Sequence, residues 1–429
     1  MLTRRLLVTG GCAFALATTA LGQGLPRGKP EQQGLSEARL ERLGTTLREY
    51  ANAGRIMGTV GLIARNGTVV YLDSSGYADK ERGAVMRPDA IFRIASMSKA
   101  ITSVAIMMLV EEGRIGLNDP VSKFIPGFAR TTVARDSTDA LGKKLLVRVP
   151  AKRQITIRDL LTHTAGISYG GEPLLDSLYL AANVHMWYFA DKDEPICATI
   201  ERLPALPFTA QPGEAFVYGF NTDILGCVVE RASTMSLDQF VQSRITGPLR
   251  MTDTHFYLPP EKASRLAAVY SAKDGRLERA PDQAGMVSQG AYVTGPRMSY
   301  SGGAGILSTA LDYARFLQML ANGGQLDGVR LLSPKTVELM TVNHAARLFG
   351  PNEGFGLGFS IMESPGSSAA YGSSGLYSWG GAYYTAFWVD PKEKLVAVFM
   401  SQLLPANGLD LQAKFRTLVY QAMTESYEK

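Results

Sequence analysis

Ser96 and Lys99 stand three residues apart in RIASMSKAITSVAIMMLVEEG (Arg93 to Gly113), at the head of a run that is otherwise almost wholly apolar. A hydroxyl is a weak nucleophile until a neighbour takes its proton. On a helix this spacing puts both side chains on one face, one turn apart. An amine buried at a helix N-terminus is disfavoured as an ammonium by desolvation and by the helix dipole, which suits it to act as a base. Free N–H groups at the same helix end can meet a developing oxyanion. The competing reading is an N-cap serine beside a snorkelling surface lysine. The spacing alone is cheap, since Ser426 and Lys429 repeat it with no buried helix behind them.

A second serine competes. GISYG (Gly166 to Gly170) matches the G-x-S-x-G nucleophile elbow, which needs a strand before the serine and a helix after it. Here TIRDLLTHTA (Thr156 to Ala165) carries apolar residues at helical spacing, and GEPLLDSLYL begins as a loop. Context therefore argues against Ser168 as a nucleophile.

The elements that must position Ser96 and Lys99 are legible in outline. The apolar run predicts a helix buried on most of its circumference, leaving toward solvent at Glu111 and Glu112, with Gly113 as C-cap. SEARLERLGTTLREYANAG (Ser36 to Gly54) is helical in pattern. TVGLIARNGTVVYLDSSGYAD reads as two strands about Asn66-Gly67. AYYTAFWVD and KLVAVFMSQ read as two more strands, and LDLQAKFRTLVYQAMTESYEK returns to helical periodicity. The expected fold is an α+β (α/β sandwich) class: one antiparallel sheet built from both chain ends and flanked by helices. Residues 23–117 and 296–429 form that sheet domain. Residues 118–295 form an inserted, mostly helical domain with few strands, tolerable because loop-closure entropy grows slowly with length.

The 429-residue chain, 46% apolar and 19% charged, is globular in composition. Its net charge of +5 comes without a long Lys/Arg block, which speaks against nucleic acid as a partner. MLTRRLLVTGGCAFALATTALGQ has a basic start (Arg4, Arg5), a short apolar run and a small-residue end, the outline of a signal peptide over residues 1–22. It fits an ordinary secretory signal or a twin-arginine one equally. The expected location is periplasmic or secreted, with no stable membrane span once the signal is removed. Cleavage after Gly22 takes the net charge from +5 to 5 − 2 = +3. Cys12 leaves with the signal. Cys197 and Cys227 can pair in an oxidising compartment, but with no disulfide framework visible they are expected to be buried small hydrophobes. His163, His185, His255 and His344 show no metal-ligand spacing, so neither metal nor cofactor is expected.

Further segments extend the pattern: ITIRDLLTHTAGI (Ile155 to Ile167), PGEAFVYGFNTDILG (Pro212 to Gly226), GGAGILSTALDYARFLQMLANGG (Gly302 to Gly324) and SWGGAYYTAFWVDP (Ser378 to Pro391). With FRIASMSKAITSVAIMMLVEEG they resemble, in order, the motifs of the serine β-lactamase and penicillin-binding-protein-like superfamily. Within it the chain is most similar to the class C β-lactamase-like (family VIII) carboxylesterases. The resemblance implies Ser96 as nucleophile, Lys99 as its partner and Tyr218 as a phenol sharing the base role, the division between the last two being open. It places Trp379-Gly380-Gly381 where class C β-lactamases carry Lys-Thr-Gly, and gives Ala382 the second oxyanion N–H beside that of Ser96. Two departures matter. Phe220 takes the position of an Asn, and the lysine that would bind a substrate carboxylate is absent. Both favour a neutral ester. The implied activity is hydrolysis of short-chain, small-molecule carboxylic esters through an acyl-enzyme. A β-lactamase or D-Ala-D-Ala carboxypeptidase activity, acyl transfer to an alcohol, and a non-catalytic binding relative are the alternatives. Acyl-pocket residues are expected around Tyr169 to Trp187.

Overall fold

The structure is a computed structural model that describes residues 24–139, 142, 144–173 and 175–427. The expected signal segment, 1–22, lies outside the described residues.

Eight antiparallel strands form the central sheet. They are β1 (Gly58–Arg65), β2 (Thr68–Asp79), β3 (Ala84–Val85), β4 (Glu353–Phe355), β5 (Ser360–Met362), β6 (Tyr377–Gly381), β7 (Thr385–Asp390) and β8 (Leu395–Met400), in the order β4-β5-β6-β7-β8-β1-β2-β3. β1 and β2 are joined through Asn66 and Gly67, both at positive φ (53° and 76°), as a tight hairpin turn requires. The first and last parts of the chain meet where β1 pairs with β8, Val60 opposite Met400 and Leu62 opposite Val398. The sheet thus draws its strands from both chain ends, as the sequence indicates.

The two-residue period of β8 explains the layering. Val396, Val398 and Met400 face a core shared with α2 (Ser98–Glu111) and α4 (Ala310–Ala321). Leu395, Ala397 and Phe399 face another, built with α1 (Glu37–Asn52) and α5 (Leu411–Gln421). α1 contributes Leu40, Leu43 and Leu47 at helical spacing and is capped by Ser36, whose hydroxyl accepts from Arg39 N. α2 is buried at every position from Ser98 to Leu109. Gly113 (φ 70°) closes it in the left-handed region.

The inserted region carries a few short strands beside its helices. Thr132–Thr138 and Lys144–Pro150 pair antiparallel, and Pro207–Phe208 adds to the first in parallel. Tyr270–Lys273 and Arg276–Arg279 form a hairpin. In Thr132–Thr138 only Val133 is buried, so this strand carries almost no apolar alternation to read. The cysteines are a correction. Cys197 and Cys227 form a disulfide, Cα atoms 5.1 Å apart, and are not free buried thiols. It ties the short helix Ile196–Ile200 to α3 (Asn221–Ser233), whose N-terminal approach carries Tyr218. A pair separated by thirty residues has no local pattern to announce it. Among the described residues no helix is long and apolar enough to cross a membrane.

Candidate active site

Ser96 lies in a single 3-10 turn, Ala95–Met97, that feeds directly into α2. It is the one residue between 91 and 100 that is not fully buried, so its hydroxyl is what this segment shows to solvent. The preceding Ala95 has φ 41°, a left-handed conformation costly for a residue with a Cβ. Neighbours on both sides hold the turn. Ile94 N donates to Ile306 O, and Ser98 Oγ accepts from Ile306 N at 3.0 Å. On the other side Gly381 crowds the Ile94 carbonyl: a Cβ there would sit 2.3 Å from that oxygen. Glycine at 381 is therefore what lets β6 approach the Ser96 turn.

Lys99, 1% exposed, follows one helical turn on. Its Nζ lies 3.3 Å from Ser96 Oγ, 3.2 Å from Tyr169 OH and 2.8 Å from Gly303 O. It also sits 4.6 Å from the centroid of the Tyr218 ring. Tyr218 precedes α3 and is fixed from below. Val217 N donates to His163 O, and the His163 ring lies 4.8 Å from the Tyr218 ring. Asn221 Nδ2 donates to His163 Nδ1 at 3.0 Å. Burial, helped by the Lys99 charge, pushes the His163 imidazole well below its usual range, so it is a neutral acceptor. Gly219 brings this segment against the 167–168 backbone, for a Cβ there would meet Ile167 O at 2.2 Å.

Trp379, on β6, donates its indole N–H to Tyr218 OH at 3.2 Å. Ser96, Tyr169, Trp187, Tyr218, Trp379 and Ala382, with Gly380, line an open cleft of about 510 Å³. The structure thus brings together the residues that the resemblance assigns to the site: Ser96, Lys99, Tyr218, Trp379, Gly380, Gly381 and Ala382. Among the described residues no side chain lining the cleft is cationic; Lys99 is buried behind it.

Tyr169 does more than the pocket-wall role expected of that stretch. Phe220 cannot hydrogen-bond, and it packs edge-to-face beneath the Tyr169 ring at 5.0 Å while Tyr169 OH reaches Lys99. Burial, and then the neighbouring Tyr218 and Asp223, push the Tyr169 phenol well above its usual range. It stays protonated and serves as a hydrogen-bonding partner. Its signal was in GISYG, but on the tyrosine and not on the serine. Ser168 is buried, donates to Glu172 Oε2 at 2.9 Å and accepts from Gly170 N, which makes it a loop fastener. Ser426 is equally remote, its hydroxyl bonded to Glu393.

The chain is similar to known proteins over most of its length. The family described as Beta-lactamase matches residues 43–421. Protein Rv1367c of Mycobacterium tuberculosis is 34% identical over 381 residues, 86% of this chain and 91% of its own length. Esterase EstB of Burkholderia gladioli is 30% identical over 364 residues, 81% of this chain and 86% of its own. Among solved structures, EstCE1, described as a hydrolase with promiscuous acyltransferase activity, superposes with a TM-score of 0.75 at 28% identity, covering 90% of this chain and 99% of its own.

Proposed function

Because the chain belongs to the Beta-lactamase family, in which its relatives support a serine hydrolase, we propose that it is an exported carboxylesterase cleaving short-chain esters of neutral small molecules. The observation that carries this reading is Lys99 Nζ beside the solvent-facing Ser96 Oγ, in a cleft whose walls are aromatic and uncharged. Ser96 Oγ attacks the ester carbonyl as its proton passes to the Lys99–Tyr218 pair. The N–H groups of Ser96 and Ala382 hold the oxyanion. The pair returns a proton to the leaving alkoxide, giving alcohol and acyl-Ser96. Water then attacks the acyl-enzyme and releases the carboxylic acid and free Ser96. Tyr169 and Gly303 O hold Lys99, and Trp379 orients Tyr218. A substrate carboxylate would find no cationic side chain among the cleft-lining residues. Export is supported by the Arg4-Arg5 leader and by the Cys197–Cys227 disulfide, which suits an oxidising compartment.

The test is mass spectrometry of wild type and Ser96→Ala with p-nitrophenyl acetate, butyrate and octanoate beside a chromogenic cephalosporin. Acyl adducts at Ser96 in wild type only, with faster turnover of the short esters, are expected. Adducts that persist in Ser96→Ala, or faster cephalosporin turnover, overturn the reading. Acyl transfer deserves one added arm, because EstCE1 is described as having that activity. With an added alcohol, ester product in place of acid would identify it.

A further inference from the structure

Asp223 lies on the first turn of α3, is completely buried, and among the described residues makes no direct ion pair. Its Oδ1 accepts from Ser301 Oγ at 2.5 Å and from Gly303 N at 3.0 Å. Its Oδ2 is buried with no hydrogen-bond partner among the described residues. Gly303 is also the residue whose carbonyl receives the Lys99 proton at 2.8 Å. One residue thus links the buried carboxylate to the buried amine. The link is tight: a Cβ on Gly303 would lie 2.5 Å from Asp223 Oδ2. Ser301 also fastens Ala304 N, and Thr102 on α2 donates to Gly302 O, so the whole 301–304 segment is clamped between α3 and α2.

A neutral side chain would anchor this loop without the cost of burying a charge. Two donors go to one oxygen, a task within reach of an Asn side-chain carbonyl. What Asn would not supply is negative charge next to Lys99. Burial pushes the Asp223 carboxyl upward, and the Lys99 charge is the largest influence opposing that. The other titratable groups around the pair are Tyr169 and His163 from the 162–170 loop and Tyr218 from the approach to α3. His163 is held neutral by burial, and Tyr169 keeps its proton. Among these neighbours Asp223 is the one carboxylate.

We propose that Asp223 is a positioning residue for the Ser96–Lys99 pair, anchoring Gly303 O on Lys99 and setting, through its charge, the pH range in which the pair works. This rests on the serine hydrolase reading above. Removing a negative charge favours proton loss from any neighbouring group, so the sign is the same whether Lys99 or Tyr218 is the base. The pH profile of Ser96 acylation must move to lower pH.

The experiment measures the rate of Ser96 labelling by a fluorophosphonate probe across pH, for wild type, Asp223→Asn and Ser301→Ala. Thermal unfolding of each is followed in parallel. Asp223→Asn should shift the acid limb downward by about one pH unit. Ser301→Ala removes one donor from the carboxylate, raises its pKa further and so lowers the fraction that is charged, which should shift the limb the same way by less. The second variant keeps the test alive if Asp223→Asn does not fold. A slower rate with the limb unmoved in every folded variant overturns the proposal and leaves Asp223 a structural residue. Absence of labelling at Ser96 in wild type would instead overturn the serine hydrolase reading itself.

Discussion

The indole N–H of Trp379 meets the hydroxyl of Tyr218 at 3.2 Å, so a strand of the sheet domain orients a phenol from the inserted region. With its lone pair committed to Trp379, the Tyr218 hydroxyl has a defined direction for its own proton. Tyr218→Phe should lower kcat for p-nitrophenyl butyrate about 10²–10⁴-fold, the usual worth of a general acid–base group. Trp379→Phe keeps an aromatic ring but loses the indole N–H and its one hydrogen bond, worth about 1 kcal/mol, so about a fivefold loss is expected. Steady-state kinetics on the two single variants and the double variant should show less than additive losses, because Trp379 acts through Tyr218.

Tyr169→Phe removes one of three acceptors from a buried amine. Leaving such a donor unsatisfied costs about 1–3 kcal/mol. The variant should fold, retain its circular dichroism spectrum and lose about ten- to a hundredfold in kcat/KM. Unchanged kinetics would show that Ser96 Oγ and Gly303 O suffice to hold Lys99.

Gly381→Ala places a methyl group 2.3 Å from the backbone oxygen of Ile94, in the turn that holds Ser96, and 2.2 Å from Thr385 Oγ1. Overpacking of this kind costs about 1–3 kcal/mol. A lowered midpoint in chemical denaturation, with slower labelling of Ser96, is expected. Gly380→Ala meets only Thr385 O, at 3.1 Å, and should be milder.

Replacing Cys197 and Cys227 together by Ala opens a link spanning thirty residues. Loop-closure arguments assign about 3–4 kcal/mol to a loop of that length. Urea denaturation of the double variant against oxidised wild type measures it. Wild type under strong reductant should fall toward the variant.

His255 gives a pH test of stability. Burial first, and the Lys262 ammonium second, lower its imidazole from 6.5 to about 4. The unfolded chain therefore binds a proton between those values that the folded chain refuses, so stability falls as pH drops below about 6.5 and levels off near 4. At pH 5 the loss relative to pH 7.5 from this residue is about 2 kcal/mol. Urea denaturation at the two pH values should show His255→Gln losing less than wild type by that amount.

Ser96, Lys99, Tyr218 and the Trp379-Gly380-Gly381 strand were legible because each sits in a local pattern: a buried apolar helix, a loop before a helix, a strand ending in two glycines. The hairpin at Asn66-Gly67 and the final strand pair were legible for the same reason, since period and turn residues are local properties. The strands of the inserted region were not, because they bury too few side chains to leave an alternation. Nor was the disulfide, whose geometry depends on how two helices pack.

What surrounds Lys99 lay beyond any local reading. Its partners Tyr169 and Gly303 are 70 and 204 residues away in the chain. By itself the sequence singled out Ser96, Lys99 and Tyr218 as the candidate reactive groups, with the buried helix that follows Ser96 and carries Lys99. Only the tertiary structure decided that a phenol, a backbone carbonyl and a buried carboxylate converge on the lysine, because burial and distance arise from packing distant segments together.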